Sequence, residues 1–260
     1  MESIIETRDL WKTYGRFAAL RGLDLAIPQR SIFALLGANG AGKTTAIKTL
    51  LNIIAPTRGS ARVLGADSRT IGPAVLARIG YVSESQTFPG RLRVGDFFTY
   101  VRQAYPTWDR DAEADLRREL RLPADRRISA LSHGMRLKLA LASALPFRPE
   151  LLILDEPFSG LDALVREEIT AGFLRHAGEM SILISSHELD EIERLATHVG
   201  VIDGGRLLFQ GTLAALHEHA RPLLGEGDRR DPDRISLRDL FVAMTRAARA
   251  ADARPGSPAG

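Results

Sequence analysis

Cysteine is absent from the 260 residues, so no disulfide can form and the fold must rest on its packing. Long apolar runs are absent as well. None approaches the ~18 to 20 residues needed to cross a bilayer, so the chain is not expected to span a membrane by itself. Met1 to Asp9 carries Glu2 and Glu6 and has no apolar centre of signal-peptide length. A strong charge of one sign is also missing: 35 basic against 32 acidic residues leave +3, too little to point to nucleic acid. Lysine is scarce, with only Lys12, Lys43, Lys48 and Lys138. What remains is 45% hydrophobic and 26% charged, a globular balance that excludes disorder and collagen-like structure.

Apolar runs at Ile4 to Glu6, Leu23 to Ile27 and Ile32 to Leu36 read as strands, and a glycine-rich turn follows the last at once. Ala41 to Ile54 reads as a helix stopped by Pro56. Further strands are expected at Ile79 to Val82, Leu151 to Leu154, Ile182 to Ser185 and Val199 to Ile202, mostly separated by helices. That alternation predicts an α/β core with a largely parallel sheet. Asp203, Gly204 and Gly205 mark a hairpin into Leu207 to Gln210. Between Val94 and Leu145 helix signals take over, with Asp109 as an N-cap and Arg117, Arg118 and Arg121 toward a C-terminal end. Residues 246–260, rich in Ala, Arg, Gly, Ser and Pro, are expected to be a disordered tail.

Gly37, Ala38, Asn39, Gly40, Ala41, Gly42, Lys43 and Thr44 fit G-x-x-x-x-G-K-[ST] between a strand and a helix. Glycines let successive N–H groups turn inward on phosphate oxygens, and the helix start adds partial positive charge. Lys43 would reach the β and γ phosphates, the Thr44 hydroxyl would hold Mg²⁺, and Thr45 completes the loop. A hydrolysing site also needs a second acid on the metal side and a group that positions water. Leu151 to Leu154 run into Asp155 and Glu156, which supply both: Asp155 for Mg²⁺, directly or through water, and Glu156 for the attacking water.

Several further segments, covering about Ile4 to Thr245, resemble those of ATP-binding-cassette ATPases. Leu131-Ser-His-Gly-Met135 is similar to the L-S-G-G-Q signature and lies 24 residues before Glu156 (156 − 132). Ser159-Gly-Leu-Asp162 resembles the D-loop, His187 in Ser185-Ser-His-Glu188 the switch histidine, and Tyr14 the aromatic that stacks on adenine. The resemblance implies a P-loop NTPase core with a mostly parallel sheet, an N-terminal antiparallel β subdomain and an α-helical signature subdomain at about 85–145, all within an ATPase domain at 1–245. It implies that Ser132 and Gly134 close over the γ-phosphate held by an opposite subunit, that Asp162 supports that subunit's site, and that His187 contacts γ-phosphate and water. ATP and Mg²⁺ are the implied cofactors. Ser132, as an N-cap, would in any case leave a second helix start able to receive phosphate.

The chain departs from the family pattern at three places. His133 and Met135 stand where glycine and glutamine are commonest, and Glu84, in Ile79-Gly-Tyr-Val-Ser-Glu84, stands at the usual Q-loop glutamine. A carboxylate at 84 can ligand Mg²⁺. Gln86, two residues on, is the alternative for that position.

Phe88, Phe97, Phe98, Tyr100, Tyr105 and Trp108 put six of the sixteen aromatics into twenty-one residues. About half are expected to form a small core, and the rest a docking surface rimmed by Arg91, Arg93 and Arg102. In transporter members this region receives the membrane subunit. The resemblance thus implies an ATPase subunit, peripheral on the cytoplasmic face, with a separate polytopic membrane chain and a second ATP-binding subunit, identical or not. Export is the expected direction. A soluble cassette ATPase with a non-transport role is the alternative; by the resemblance it would be expected to carry a coiled-coil insertion or a second cassette, and these 260 residues show neither.

Overall fold

The structure, a computed structural model, describes residues 2–175, 179–224 and 235–252. Two sheets divide the strands. The first has the order β2-β1-β4-β5, from β1 (Ser3–Tyr14), β2 (Phe17–Pro28), β4 (Arg58–Val63) and β5 (Ala66–Asp67), all paired antiparallel. The second has the order β10-β9-β3-β8-β7-β6: β3 (Ile32–Leu36), β6 (Ile79–Ser83), β7 (Leu151–Asp155), β8 (Ser181–Ser186) and β9 (His198–Asp203) run parallel. β10 (Arg206–Thr212) closes that edge antiparallel to β9, through the hairpin at Gly204 and Gly205. The expected α/β class, with an antiparallel N-terminal sheet and a mostly parallel main sheet, is what the chain forms.

Side chains alternate across each strand, so one run serves two cores. From β3, Phe33 and Leu35 pack with Ile5, Leu23, Leu25 and Ile27 of the antiparallel sheet, and with Ala46, Ile47 and Leu50 of α1 (Lys43–Leu50). Ile32, Ala34 and Leu36 face the other way, onto helices that include α5 (His133–Ala144), α6 (Ala163–Arg175) and α7 (Leu189–Leu195). Burial on both faces is why these strands read as unbroken apolar runs.

After α2 (Pro73–Leu76) and β6 comes the helical subdomain, built from α3 (Val94–Val101), α4 (Arg110–Glu119) and the start of α5. Asp109 caps α4 as expected, accepting from the N–H groups of Asp111 and Ala112 at 3.0 Å each. Phe98, fully buried, centres its core with Val94, Phe97, Ile128, Leu131 and Leu139. Phe97 lies edge-on to Phe88 and Phe98, and Tyr105 stacks on Phe147 at 4.0 Å. Five of the six clustered aromatics thus hold one another, and Tyr100, 69% exposed, stands apart. More of them are committed to packing than the expected half. Phe98→Ala should lower stability by about 3–5 kcal/mol, read as a shift of the denaturant midpoint.

The tail expectation needs correcting. After α8 (Leu213–Ala220), α9 runs Leu237–Asp252, seven residues into the segment expected to be disordered, while 253–260 lie outside the described residues. Leu237, Leu240 and Met244 bury one face of α9. Beyond them Arg249 donates to both carboxylate oxygens of Asp203 at 2.8 Å, tying the last turns to the β9–β10 hairpin. A composition of Ala and Arg therefore encoded a helix with a docking partner.

Candidate functional site

The site lies where β3, β7 and β8 end side by side, since ligands of open α/β sheets gather at the carboxyl ends of parallel strands. Residues 37–42 leave β3 and turn into α1. At Gly42, φ is +112° and a Cβ would sit 2.7 Å from the Ala19 carbonyl; at Gly37 it would sit 2.6 Å from that of Ile202. Glycine is needed at both, to let the loop pass between β2 and the β9–β10 hairpin. Gly205 joins the three, donating to the Ala41 carbonyl and accepting from Arg21 N–H, each at 2.9 Å. Gly42 has no side chain to cap α1, so the first-turn N–H groups face the loop.

Lys43 turns back into that loop. Its Nζ donates to the carbonyls of Gly37 (2.5 Å) and Ala38 (3.2 Å) and lies 2.9 Å from Glu156 Oε1. The Glu156 contact is a charge contact without hydrogen-bond alignment: Oε1 is buried, and among the described residues it has no hydrogen-bond partner. Both side chains are nearly inaccessible, 5% and 9% exposed. The other oxygen of Glu156 faces His187, with Nδ1 at 2.7 Å and the backbone N–H at 3.3 Å. Glu156 itself has φ +53°, a left-handed conformation rare for a residue with a side chain. It is held there by its own N–H, which reaches the carbonyl (3.1 Å) and hydroxyl (3.0 Å) of Ser185. Such strain is a mark of functional sites.

Beside this chain, Asp155 Oδ1 accepts from Thr44 Oγ1 at 3.1 Å and Ser185 Oγ at 2.6 Å. Burial pushes the Asp155 carboxyl above the usual carboxylate range, although both hydroxyls and Lys43 pull it down. A hydroxyl and a carboxylate oxygen converging in this way form an oxygen-only donor set, the kind Mg²⁺ takes together with substrate phosphates.

The structure thus brings Gly37, Ala38, Lys43, Thr44, Asp155, Glu156 and His187 into one connected cluster. Asn39 and Gly40 are exposed at the loop's tip, and Thr45 continues α1. Among the described residues, Tyr14, Ser132, Gly134 and Asp162 share no hydrogen bond or ion pair with the cluster. Tyr14 sits at the β1–β2 turn, 49% exposed, with Lys12 Nζ 5.1 Å from its ring centroid. Ser132 caps α5 by accepting from Met135 N–H at 3.3 Å, Gly134 lies against Val165, and Asp162 accepts from Val165 N–H at 2.9 Å. Glu84 is turned to Ser159 Oγ (2.7 Å), while the alternative, Gln86, bonds back to Ser83 N–H at 3.5 Å.

Sequence reasoning passed over two contributors. Ser185 was in view beside His187, but its grip on both Asp155 and Glu156 depends on β7 and β8 being neighbours. Arg166 donates to the Leu161 carbonyl at 3.1 Å and to Glu188 and Glu191 at 3.2 Å, tying the segment after Glu156 to the segment after His187.

Residues 20–159 match the family described as ABC transporter. The chain is 34% identical over 225 residues to the bacitracin transport ATP-binding protein BcrA of Enterococcus faecalis, an alignment covering 85% of this chain and 73% of that protein. It is 34% identical over 224 residues to the Nod factor export ATP-binding protein I of Cupriavidus metallidurans, covering 81% and 72%. Among solved structures, that of an ATP-binding subunit of an ABC transporter superposes with a TM-score of 0.81 at 26% identity, over 94% of this chain and 100% of that one. The family match, the identity to these relatives and the superposition agree, and the chain belongs to the ABC transporter family as a subunit that binds and hydrolyses ATP.

Proposed function

We propose that this subunit drives export through a separate polytopic membrane chain, with ATP closing it against a second cassette and hydrolysis reopening the pair. The observation that carries the reading is the connected chain Lys43–Glu156–His187 beside Thr44–Asp155. Triphosphate would enter at the α1 start, drawing Lys43 from Glu156 onto its oxygens and leaving the Glu156 carboxylate free to orient water and take its proton. His187 would hold that carboxylate and meet the γ-phosphate. Thr44 and Asp155 would hold Mg²⁺, which when bound neutralises phosphate charge. Tyr14, exposed on the hairpin tied to the loop through Gly205, offers a face for adenine.

Ser132 and Gly134 open a second helix start, which in this reading serves the nucleotide of the other cassette, with Asp162 beside it. Such an arrangement is self-complementary in a two-fold pair. Export is supported by the relative named for Nod factor export. No described helix is long and apolar enough to cross a membrane, which fits a membrane part on another chain and attachment at its cytoplasmic face. Affinity purification from detergent-solubilised cells of the source organism should recover a multi-span membrane protein in fixed ratio. Recovery of ribosomes or DNA in its place would overturn the transport reading in favour of a soluble role.

A further inference from the structure

Two of the positions at which the chain departs from the family pattern, Glu84 and His133, meet at one residue. Ser159 Oγ donates to Glu84 Oε1 at 2.7 Å, and the Ser159 carbonyl accepts from His133 Nε2 at 3.1 Å, which fixes the proton on that ring nitrogen. The Ser159 N–H in turn reaches the Glu156 carbonyl at 3.3 Å. Two segments distant in sequence, the end of β6 and the start of α5, therefore converge on a single half-buried serine in the turn that follows Glu156.

The surroundings reinforce this. The His133 ring lies 3.8 Å from the position a Cβ would take on Gly160, and Gly134 leaves room for Val165 and Leu161. Lys138 pairs with Glu168 at 2.5 Å, so α5 is tied to α6 a turn further on. Glu84 N–H donates to the Asp155 carbonyl at 2.9 Å, anchoring the other side of the clamp to β7. Between the two sides lies a cleft of about 200 Å³ lined by Glu84, Phe88, His133, Arg136, Glu156 and Pro157.

We propose that Glu84 and His133 are positioning residues that clamp Ser159 from two sides and so fix the strained 156–160 loop that carries Glu156. Each partner has the chemistry its side of the clamp requires: a carboxylate accepts from the hydroxyl, an imidazole N–H donates to the carbonyl, and neither group is shared with the Thr44–Asp155 pair. The proposal rests on Glu156 as the carboxylate that faces water.

The test is a set of variants read at saturating ATP and by amide hydrogen exchange of the nucleotide-free protein. Glu84→Ala, Ser159→Ala and His133→Ala should each lower kcat about 10-fold with the KM for ATP little changed. The Glu84→Ala/Ser159→Ala double variant should be no worse than the poorer single one, because both remove one contact. Glu84→Gln keeps an acceptor and His133→Gln keeps a donor, so both should recover most of the rate. Exchange at Ser159 and Leu161, whose N–H groups bond within the loop, should quicken about 10-fold in the alanine variants. Multiplied effects in the double variant would mean that Glu84 acts elsewhere, and unchanged exchange would mean that the loop is not clamped. Either result overturns the proposal. Full turnover in Glu156→Gln would defeat the reading of Glu156 instead, and the exchange measurement would still decide the clamp.

Discussion

Lys43→Ala should abolish ATP turnover, a loss of at least about 10²-fold, and should remove measurable ATP binding. Lys43 is the one cation in the phosphate loop, and it is held at the loop's centre by Gly37, Ala38 and Glu156. Removing it takes away the charge that would meet the β and γ oxygens, where a low-dielectric site makes such a charge most effective. The substitution also has a structural cost. Glu156, 9% exposed, would keep His187 but lose the ammonium 2.9 Å away, and breaking one side of a buried pair costs about 3–5 kcal/mol. The thermal unfolding temperature should therefore fall along with binding. The Lys43→Ala/Glu156→Gln double variant separates the two effects, since a neutral amide needs no counter-charge. It should regain most of the stability and none of the ATP binding, measured with a fluorescent nucleotide. Recovery of binding in the double variant would show that Lys43 serves only to neutralise Glu156.

Glu156→Gln should bind ATP, lose about 10²- to 10⁴-fold in turnover and accumulate a closed pair. Glutamine has the same shape and can still accept from the His187 backbone N–H, so the 156–160 loop and its left-handed start should persist. What the amide cannot do is take a proton from water. It also no longer attracts Lys43, which leaves the lysine freer for phosphate and makes weakened ATP binding unexpected. Size-exclusion chromatography with and without ATP, alongside phosphate release, reads both consequences. Full ATPase activity would remove Glu156 from the role of base.

The parts legible in the sequence were those whose reasons are local. Strands β3, β7 and β8 are short apolar runs because helices or a second sheet cover both their faces, and the phosphate loop is contiguous. The antiparallel sheet was harder to read. β1 and β2 each run twelve residues, longer than the segments expected, because register shifts at Ser3/Ile5, Thr7/Leu10 and Lys12/Thr13 break the alternation that marks a strand. Glu113 shows the same limit among charges. It reads as an acid in the first turn of α4, yet it is buried and accepts from Arg102, Arg117 and Trp108. Its burial is set by partners on α4 and on the segment before it, and no spacing announces which acid goes inward. Within the site, Ser159 meets Glu84 across 75 positions and His133 across 26. Those contacts exist only once β6 and β7 are paired and α5 is docked, which is why the sequence offered Glu84 as a carboxylate for Mg²⁺ and gave no sign that it and His133 would meet at Ser159.

The central claim is that one triphosphate is gripped by Lys43 and the α1 start of one cassette and by the α5 start of another. A crystal or cryo-EM structure with a non-hydrolysable ATP analogue and Mg²⁺ tests it directly. Lys43 should have left Glu156 for the phosphate oxygens, with Ser132 and Gly134 of the facing subunit over the γ-phosphate. An analogue enclosed by a single cassette, with Lys43 still paired to Glu156, would contradict the account.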